Sequence, residues 1–335
     1  MFNKKVKCIT VMFLSTCMVL ASGCSNNTAS VEPDSTATTA SVISKVESQL
    51  YRSTDTSSNL DKNSTILYYK NEDGLIVPIM RKLDKTLDVQ DVVNLLISTD
   101  EISADLTKMN LSALIPKDTT VVVTLDDKVA NVNFKNLKNK NAKDEASMVA
   151  GVVNTLLSLP TVDSVRITLN GKAAEQMAYG TNISKHITQL DYNVETISRS
   201  VNVNTAKKIK LYYLSPEGYL IVPTIRYIET KVTAENLVNE LLKGPDDAQN
   251  LLTGIPEGTK LNSSKISADG IVTLDFSSEF NDIKEYTELN TTILKTIILT
   301  CEQLKEVQGV EITVDGEALE MDTTTLSSPV YANEY

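Results

Sequence analysis

Leu67-Tyr68-Tyr69-Lys70-Asn71-Glu72-Asp73-Gly74-Leu75-Ile76-Val77-Pro78 returns as Leu211-Tyr212-Tyr213-Leu214-Ser215-Pro216-Glu217-Gly218-Tyr219-Leu220-Ile221-Val222-Pro223. The tyrosine pairs stand 144 residues apart and the Val-Pro pairs 145, so the second copy gains one residue around its turn. Further on, Ile115-Pro116 matches Ile255-Pro256 at 140, and Arg166-Ile167-Thr168-Leu169-Asn170-Gly171 matches Glu311-Ile312-Thr313-Val314-Asp315-Gly316 at 145. A period of this size marks a duplicated domain and not a solenoid repeat.

Each element can therefore be read twice. Ile66 to Lys70 and Leu75 to Arg81 are apolar, β-prone runs joined through Asp73-Gly74, and the second copy turns at Glu217-Gly218, so both copies open with a hairpin. Val89, Val92, Val93 and Leu96 fall at i, i+3, i+4 and i+7 after the cap residue Asp88; Ala234, Leu237, Val238 and Leu241 do so after Thr233. Gly244-Pro245 ends the second of these helices, while the first runs into Ser98-Thr99-Asp100. Two strands follow, Thr119 to Leu125 and Val129 to Phe134 turning at Asp126-Asp127, matched by Lys260 to Ile266 and Ile271 to Phe276 turning at Asp269-Gly270. A longer helix then presents Val149, Val152, Val153 and Leu156 on its inner face in copy one, and Leu294, Ile297, Ile298 and Cys301 in copy two. The closing strand alternates Val165, Ile167, Leu169 and Val310, Ile312, Val314. Each domain reads β-β-α-β-β-α-β, which places the fold in the α+β class: two tandem homologous domains, each a small mixed or antiparallel sheet covered by two helices.

The N-terminal end reads as an export signal. Lys4, Lys5 and Lys7 precede an apolar run from Ile9 to Leu20, and Ala21-Ser22-Gly23-Cys24 follows. The run is shorter than the roughly 20 residues that span hydrocarbon, and the order of basic, apolar and small residues is that of a cleavable leader. Residues 1–23 are assigned to this leader, 24–63 to a disordered Ser/Thr/Asn-rich tether too poor in large apolar groups to offset its backbone entropy, 64–204 to domain 1 and 205–335 to domain 2. Of four cysteines, two leave with the leader and Cys24 is the acylation candidate, leaving Cys301 as the one thiol and no intrachain disulfide. The net charge of −11 becomes −14 once the three leader lysines are removed. An acidic chain without a Lys/Arg-rich stripe excludes nucleic acid as a partner.

Behind Ser22-Gly23-Cys24 and the tether, the Leu-Tyr-Tyr openings with downstream Val-Pro, the Ile-Pro after the first helix and the closing Ile-Thr-apolar-Asn/Asp-Gly strand appear in one order, twice. In this the chain resembles the GerM family of sporulation and spore-germination lipoproteins, which carry two tandem GerMN domains behind a lipobox. It departs from the family in Ala21, where leucine is usual, and in lacking Gly-Pro after the first helix of copy one. The resemblance implies diacylation of Cys24, anchorage on the extracytoplasmic face of the cell membrane, and a role between mother cell and forespore in holding other sporulation envelope proteins. It also implies likeness to ring-building modules of secretion scaffolds, hence possible self-association.

Candidates for catalysis fail on inspection of their duplicates. Cys301 stands where copy one has Leu156, on the inner face of a helix, and reads as a buried thiol acting as a small hydrophobe. His186 is the only histidine and falls in the segment between the domains, so it offers neither a metal site nor a repeated acid/base pair. Asp126-Asp127 and Asp246-Asp247 are adjacent acids in predicted turns and not carboxylates facing each other across a sugar. Tyr68-Tyr69 and Tyr212-Tyr213 divide between core packing, the larger share, and a partner surface. The expectation is a protein without catalytic residues, cofactor or metal, with Cys24 as lipid attachment site. It either scaffolds partners on exposed edges or faces, or holds a small ligand such as a peptidoglycan fragment or germinant between its domains.

Overall fold

The computed structural model describes residues 63–321 and 331–335. The leader, the tether and Cys24 lie outside the described residues.

Domain 1 opens with β1 (Ser64–Asn71) and β2 (Ile76–Lys82), antiparallel with Tyr68 opposite Pro78. Gly74 supplies the left-handed turn residue, at φ 75°. Next comes α1 (Val89–Asn94), started by the Asp88 carboxylate accepting from the Asp91 amide at 2.8 Å. It stops after six residues, and the chain caps again at Thr99 to form α2 (Asp100–Thr107), a helix not expected from the repeat. Its signal is local: Thr99 accepts from the Ile102 amide at 3.1 Å, and Asp100 and Glu101 follow in the first turn. Short β3 (Leu111–Ser112) returns to the end of β1.

The strands β4 (Thr120–Asp126) and β5 (Val129–Lys135) then pair antiparallel. Their turn lies one residue later than expected, at Asp127-Lys128, both at positive φ, the twist a two-residue hairpin favours. Helix α3 (Ala142–Leu157), capped by Asn141, crosses back to β6 (Ser164–Leu169), which lies parallel to β5.

Domain 2 repeats the plan with β7 (Lys207–Leu214), β8 (Ile221–Ile228), α4 (Ala234–Leu242), β9 (Leu261–Ile266), β10 (Ile271–Phe276), α5 (Asn290–Cys301), β11 (Gly309–Val314) and a two-residue β12 (Glu317–Ala318). Here the first helix runs to a clean end at Gly244, as read from the sequence. The α+β class and the duplication hold. Within each domain the strands divide between two sheets, the hairpin (extended by β3 in domain 1) and a mixed sheet ordered β4-β5-β6 or β12-β11-β10-β9.

The long helix of each copy sits between these two sheets, α3 touching β1 and β6, α5 touching β7 and β11. Val149, Val152, Val153 and Leu156 are fully buried, as are Leu294, Ile297, Ile298 and Cys301 within a percent. A helix enclosed on two sides is apolar over most of its circumference, and Met148, Ala150, Ile293 and Leu299 are buried as well. Gly151 belongs to this close fit, since a Cβ there would lie 2.0 Å from Cδ1 of Leu114. Ile115 and Ile255 are buried, and the prolines after them each open a turn that feeds β4 or β9.

Candidate functional site

The Val-Pro motif lies on the outer edges of β2 and β8, and there the two domains meet. A proline on a strand edge has no amide to give, so these edges cannot be completed by an ordinary ladder. Two asparagines complete them. Asn193, near the end of domain 1, accepts from the Ile76 amide at 2.7 Å through Oδ1, and its Nδ2 donates to the carbonyls of Ile76 and Pro223, both at 2.7 Å. Asn333, near the end of domain 2, accepts from the Ile221 amide at 2.8 Å and donates to the carbonyls of Ile221 at 2.8 Å and Pro78 at 2.9 Å.

The backbone follows the same exchange. The Ile225 amide donates to the carbonyl of Asn193 and the Glu195 amide to the carbonyl of Ile225, at 3.1 and 2.9 Å, while Met80 does the same with Asn333 and Tyr335 at 2.8 and 2.9 Å. The C-terminal segment of each domain thus adds a short strap to the hairpin edge of the other. Met80 and Ile225 are equivalent in the repeat, as are Pro78 and Pro223, so the seam is a reciprocal strand exchange.

Behind the seam lies a charged clamp that only one copy possesses. Arg226 bonds Glu195, which arrives on the strap, and also Glu240 on α4 at 3.2 Å; its Nη2 donates to the carbonyl of Gly244 at 2.6 Å and to Tyr213 Oη at 3.3 Å. The side chains of Arg226 and Glu195 are 16 and 5 % exposed, which makes this a pair fixed by packing. The equivalent Arg81 instead lies over the ring of Tyr335, 5.3 Å from its centroid, with no ion pair among the described residues.

Both tyrosines of each pair are buried, where sequence reasoning kept a share of them for a partner surface. The reason is the two-sided cover of the hairpin. Tyr68 meets Tyr192 edge-on at 5.5 Å, and Tyr69 and Tyr213 turn their hydroxyls to helix-end carbonyls, Leu95 at 3.3 Å and Gly244 at 2.9 Å. Burial pushes the Tyr69 hydroxyl up to about 12 and raises that of Tyr213 too, the nearby arginine opposing the shift in each case.

The closing motif is also structural. Asn133 on β5 accepts from Thr168 Oγ1 at 3.1 Å and from the Gly171 amide at 2.8 Å; Asp275 on β10 accepts from Thr313 Oγ1 and the Gly316 amide, both at 2.7 Å. These bonds hold the Asn-Gly and Asp-Gly turns, and they hold the Asp275 carboxyl below its ordinary range.

The remaining candidates disperse. Cys301 is fully buried and its thiol is pushed up to about 12 by that burial, the reverse of a reactive cysteine. His186 is exposed beside Ile187, which pairs with Val165 of β6, and Asp126 and Asp127 are exposed at the β4–β5 turn. Asp246 caps a single 3-10 turn, Asp247–Gln249, and accepts from the Thr196 amide. An open cleft of about 390 Å³ lies beside the seam, with Lys143, Ser147, Asp191 and Asp246 among its lining. Several of its polar groups are turned inward: Lys143 donates to the carbonyl of Asp73, Ser147 to that of Gly74, and Asp191 pairs with Lys208, while the buried Oε1 of Gln249 has no hydrogen-bond partner. Sequence reasoning missed Asn193, Glu195 and Asn333. The one available signal was the proline within each apolar strand, which requires an unusual edge.

The architecture defines a class: a duplicated α+β protein whose two domains are joined by exchanged straps and whose repeated motifs serve the fold. The family model for sporulation and spore germination named Germane matches residues 66–175 and 210–320, and the chain belongs to that family, with two tandem GerMN domains. It is 31% identical over 281 residues to the spore germination protein GerM of Bacillus subtilis (strain 168), covering 79% of this chain and 75% of that one. It also superposes on the solved tandem GerMN domains of the sporulation protein GerM from Bacillus subtilis with a TM-score of 0.66 and 28% identity, over 81% of this chain and 98% of that one. These relatives indicate no catalytic function. Among the described residues no helix is long and apolar enough to cross a membrane.

Proposed function

We propose that this chain is a non-enzymatic lipoprotein of endospore formation, anchored through diacylated Cys24 on the extracytoplasmic face, which holds envelope proteins between mother cell and forespore. The observation that carries the reading is how the molecule uses its polar groups. The seam, the clamp and the cleft engage theirs internally, so recognition falls to the outer surface of a two-domain body fixed by its own straps. A small ligand in the cleft would need free converging groups, and Lys143, Ser147 and Asp246 there are committed to neighbours, which leaves the Gln249 side-chain oxygen as a lone buried group without a partner. Two acyl chains suffice for stable anchorage, and a tether over residues 24–63 would let the body reach its partners at a distance from the bilayer.

The test is capture of the full chain from sporulating cells after mild cross-linking, beside a Cys24→Ala form and beside vegetative cells. Envelope proteins enriched only during sporulation, and lost with the anchor, support the reading. Equal recovery from the Cys24→Ala form sinks the anchoring part, and no enrichment over vegetative cells sinks the docking part.

A further inference from the structure

The two copies differ most in charge at one equivalent place on their surfaces. In domain 1 the connection from β5 to α3 carries Lys135, Lys138 and Lys140, all exposed, and the Asn170-Gly171 turn beside it adds exposed Lys172. Pairing of the strands gathers them at one end of the domain, since the Phe134 carbonyl accepts from the Asn170 amide at 2.8 Å. Tyr179, 48 % exposed, joins the group through its hydroxyl, which donates to the Lys140 carbonyl at 3.2 Å. None of the four lysines has an ion pair among the described residues. Of the acids nearby, Asp144 is paired with Lys70 at 2.6 Å, and Glu145 is buried under amide bonds from Tyr179 and Thr181 at 3.0 and 3.1 Å. Glu175 is the exposed carboxylate of the adjoining segment.

Domain 2 reverses the sign. Its connection from β10 to α5 exposes Glu279, Asp282, Glu285 and Glu288 against Lys284, and Glu317 stands where domain 1 has Lys172. Both copies build the same strands and the same long helix around this place, so the fold does not require the lysines. Unpaired charges of one sign, gathered where the duplicate carries the other, mark a surface that meets an anionic partner.

We propose that this basic end of domain 1 is the face the body lays against the bilayer, where it binds anionic lipid headgroups. The composition of the patch favours a lipid surface over an acidic protein. Lysines are flexible point charges suited to a diffuse anionic layer, and the patch has no arginine fork of the kind that reads a carboxylate of fixed shape. A half-exposed tyrosine among them matches the amphipathic aromatics of membrane interfaces. The remaining charge sets the orientation. The mature chain is acidic even with these lysines counted, so an anionic layer repels the body as a whole and admits it by this end. The inference rests on the anchoring reading above for proximity: a Ser/Thr/Asn-rich tether over residues 24–63 would hold the body within about 35 Å of the bilayer. At such an effective concentration a weak patch suffices.

The test uses the chain from residue 25 onward, which keeps every described residue and lacks both leader and acyl anchor. The sequence contains no tryptophan, so Tyr179→Trp places a single fluorescent reporter at the basic end. Tyr219→Trp, at the tip of the β7–β8 hairpin and 73 % exposed, reports from domain 2. Vesicles of phosphatidylcholine and phosphatidylglycerol in equal parts should shift the emission of the reporter at 179 to the blue and leave that at 219 unchanged. Phosphatidylcholine alone should shift neither, and salt at about 0.5 M should abolish the effect. Each lysine beside an anionic surface strengthens binding about fivefold. Lys135→Gln, Lys138→Gln, Lys140→Gln and Lys172→Gln together should therefore weaken sedimentation with the mixed vesicles more than tenfold. The same change at Lys207, Lys231, Lys260 and Lys265, exposed in domain 2, should leave it unaltered. Equal binding to both kinds of vesicle, binding to neither, equal shifts at 179 and 219, or full binding by the first variant overturns the proposal. Binding of an oligoglutamate peptide without binding of vesicles also overturns it, in favour of an acidic protein. The anchoring and docking readings are judged by the comparison with Cys24→Ala in cells and survive each of these outcomes.

Discussion

Asn193 and Asn333 perform the same exchange in opposite directions: each binds both backbone groups of one isoleucine in its own domain and reaches the carbonyl of one proline in the other. Each asparagine is spent completely on backbone that has no other partner at that edge. Joining the domains this way makes each strap a load shared by both.

Asn333→Ala should therefore destabilise the whole body and not one domain. It strands the Ile221 amide and two carbonyls in a buried seam, at a cost of about 2–4 kcal/mol. Thermal unfolding should show a fall of the midpoint by about 5–15 °C. Asn333→Asp should fare no better, since a carboxylate can serve the Ile221 amide but faces the carbonyls of Ile221 and Pro78 without a proton to offer. A midpoint unchanged in both variants would mean that the exchange carries no stability.

The Arg226 clamp predicts an asymmetry between breaking a pair and removing it. Glu195→Gln leaves the guanidinium with Glu240 as its remaining carboxylate and should cost about 2–4 kcal/mol in denaturant titration. Replacing both partners, Arg226→Met with Glu195→Leu, should cost less than the single change, because no buried charge is stranded and Glu240 retains Lys243 at 2.6 Å. The reverse order would show that Arg226 matters chiefly for its bonds to Tyr213 and Gly244.

Stability should fall on the alkaline side. The Tyr69 hydroxyl is raised to about 12 in the folded chain, against about 10 in an unfolded one, and that of Tyr213 is raised as well. Above pH ~10 the unfolded chain loses protons that the folded one keeps, so the contribution is complete below that pH and is lost as the pH rises through about 12. Denaturation midpoints measured from pH 8 to 12 should decline over this window, and Tyr69→Phe should flatten part of the decline.

Asp275 stands where domain 1 uses Asn133, and both accept from a threonine hydroxyl and a glycine amide. Asp275→Asn should thus be nearly neutral at pH 7. The carboxyl is held below its ordinary range, so its contribution is present at neutral pH and lost as the pH falls through the carboxylate range. Titrating stability from pH 7 to 3 should show a shallower acid loss in the variant. An equal loss would place the acid sensitivity elsewhere.

The duplication and the order of strands and helices were legible from residues alone, and so were the inner faces of the long helices. Such properties depend on neighbours within a few residues: Val149, Val152, Val153 and Leu156 share a face because of helical geometry, whatever lies opposite. Helix α2 was legible too, in Thr99-Asp100-Glu101, but the repeat hid it because copy two has only the single 3-10 turn Asp247–Gln249 there. The tertiary structure decided what the motifs are for. The bonds that give Val-Pro its meaning join residues 112 and 255 positions apart, and an asparagine in a polar segment carries no local mark of them. The cover of the β4 edge by Gln90 on α1, which accepts from the Val123 amide and donates to the Val121 carbonyl, is of the same kind, since it turns on a side chain from another element. Gln90 is an ordinary helix residue by sequence; only the packing of α1 on β4 makes it a cover, because backbone hydrogen bonds at an edge are satisfied in space and not along the chain.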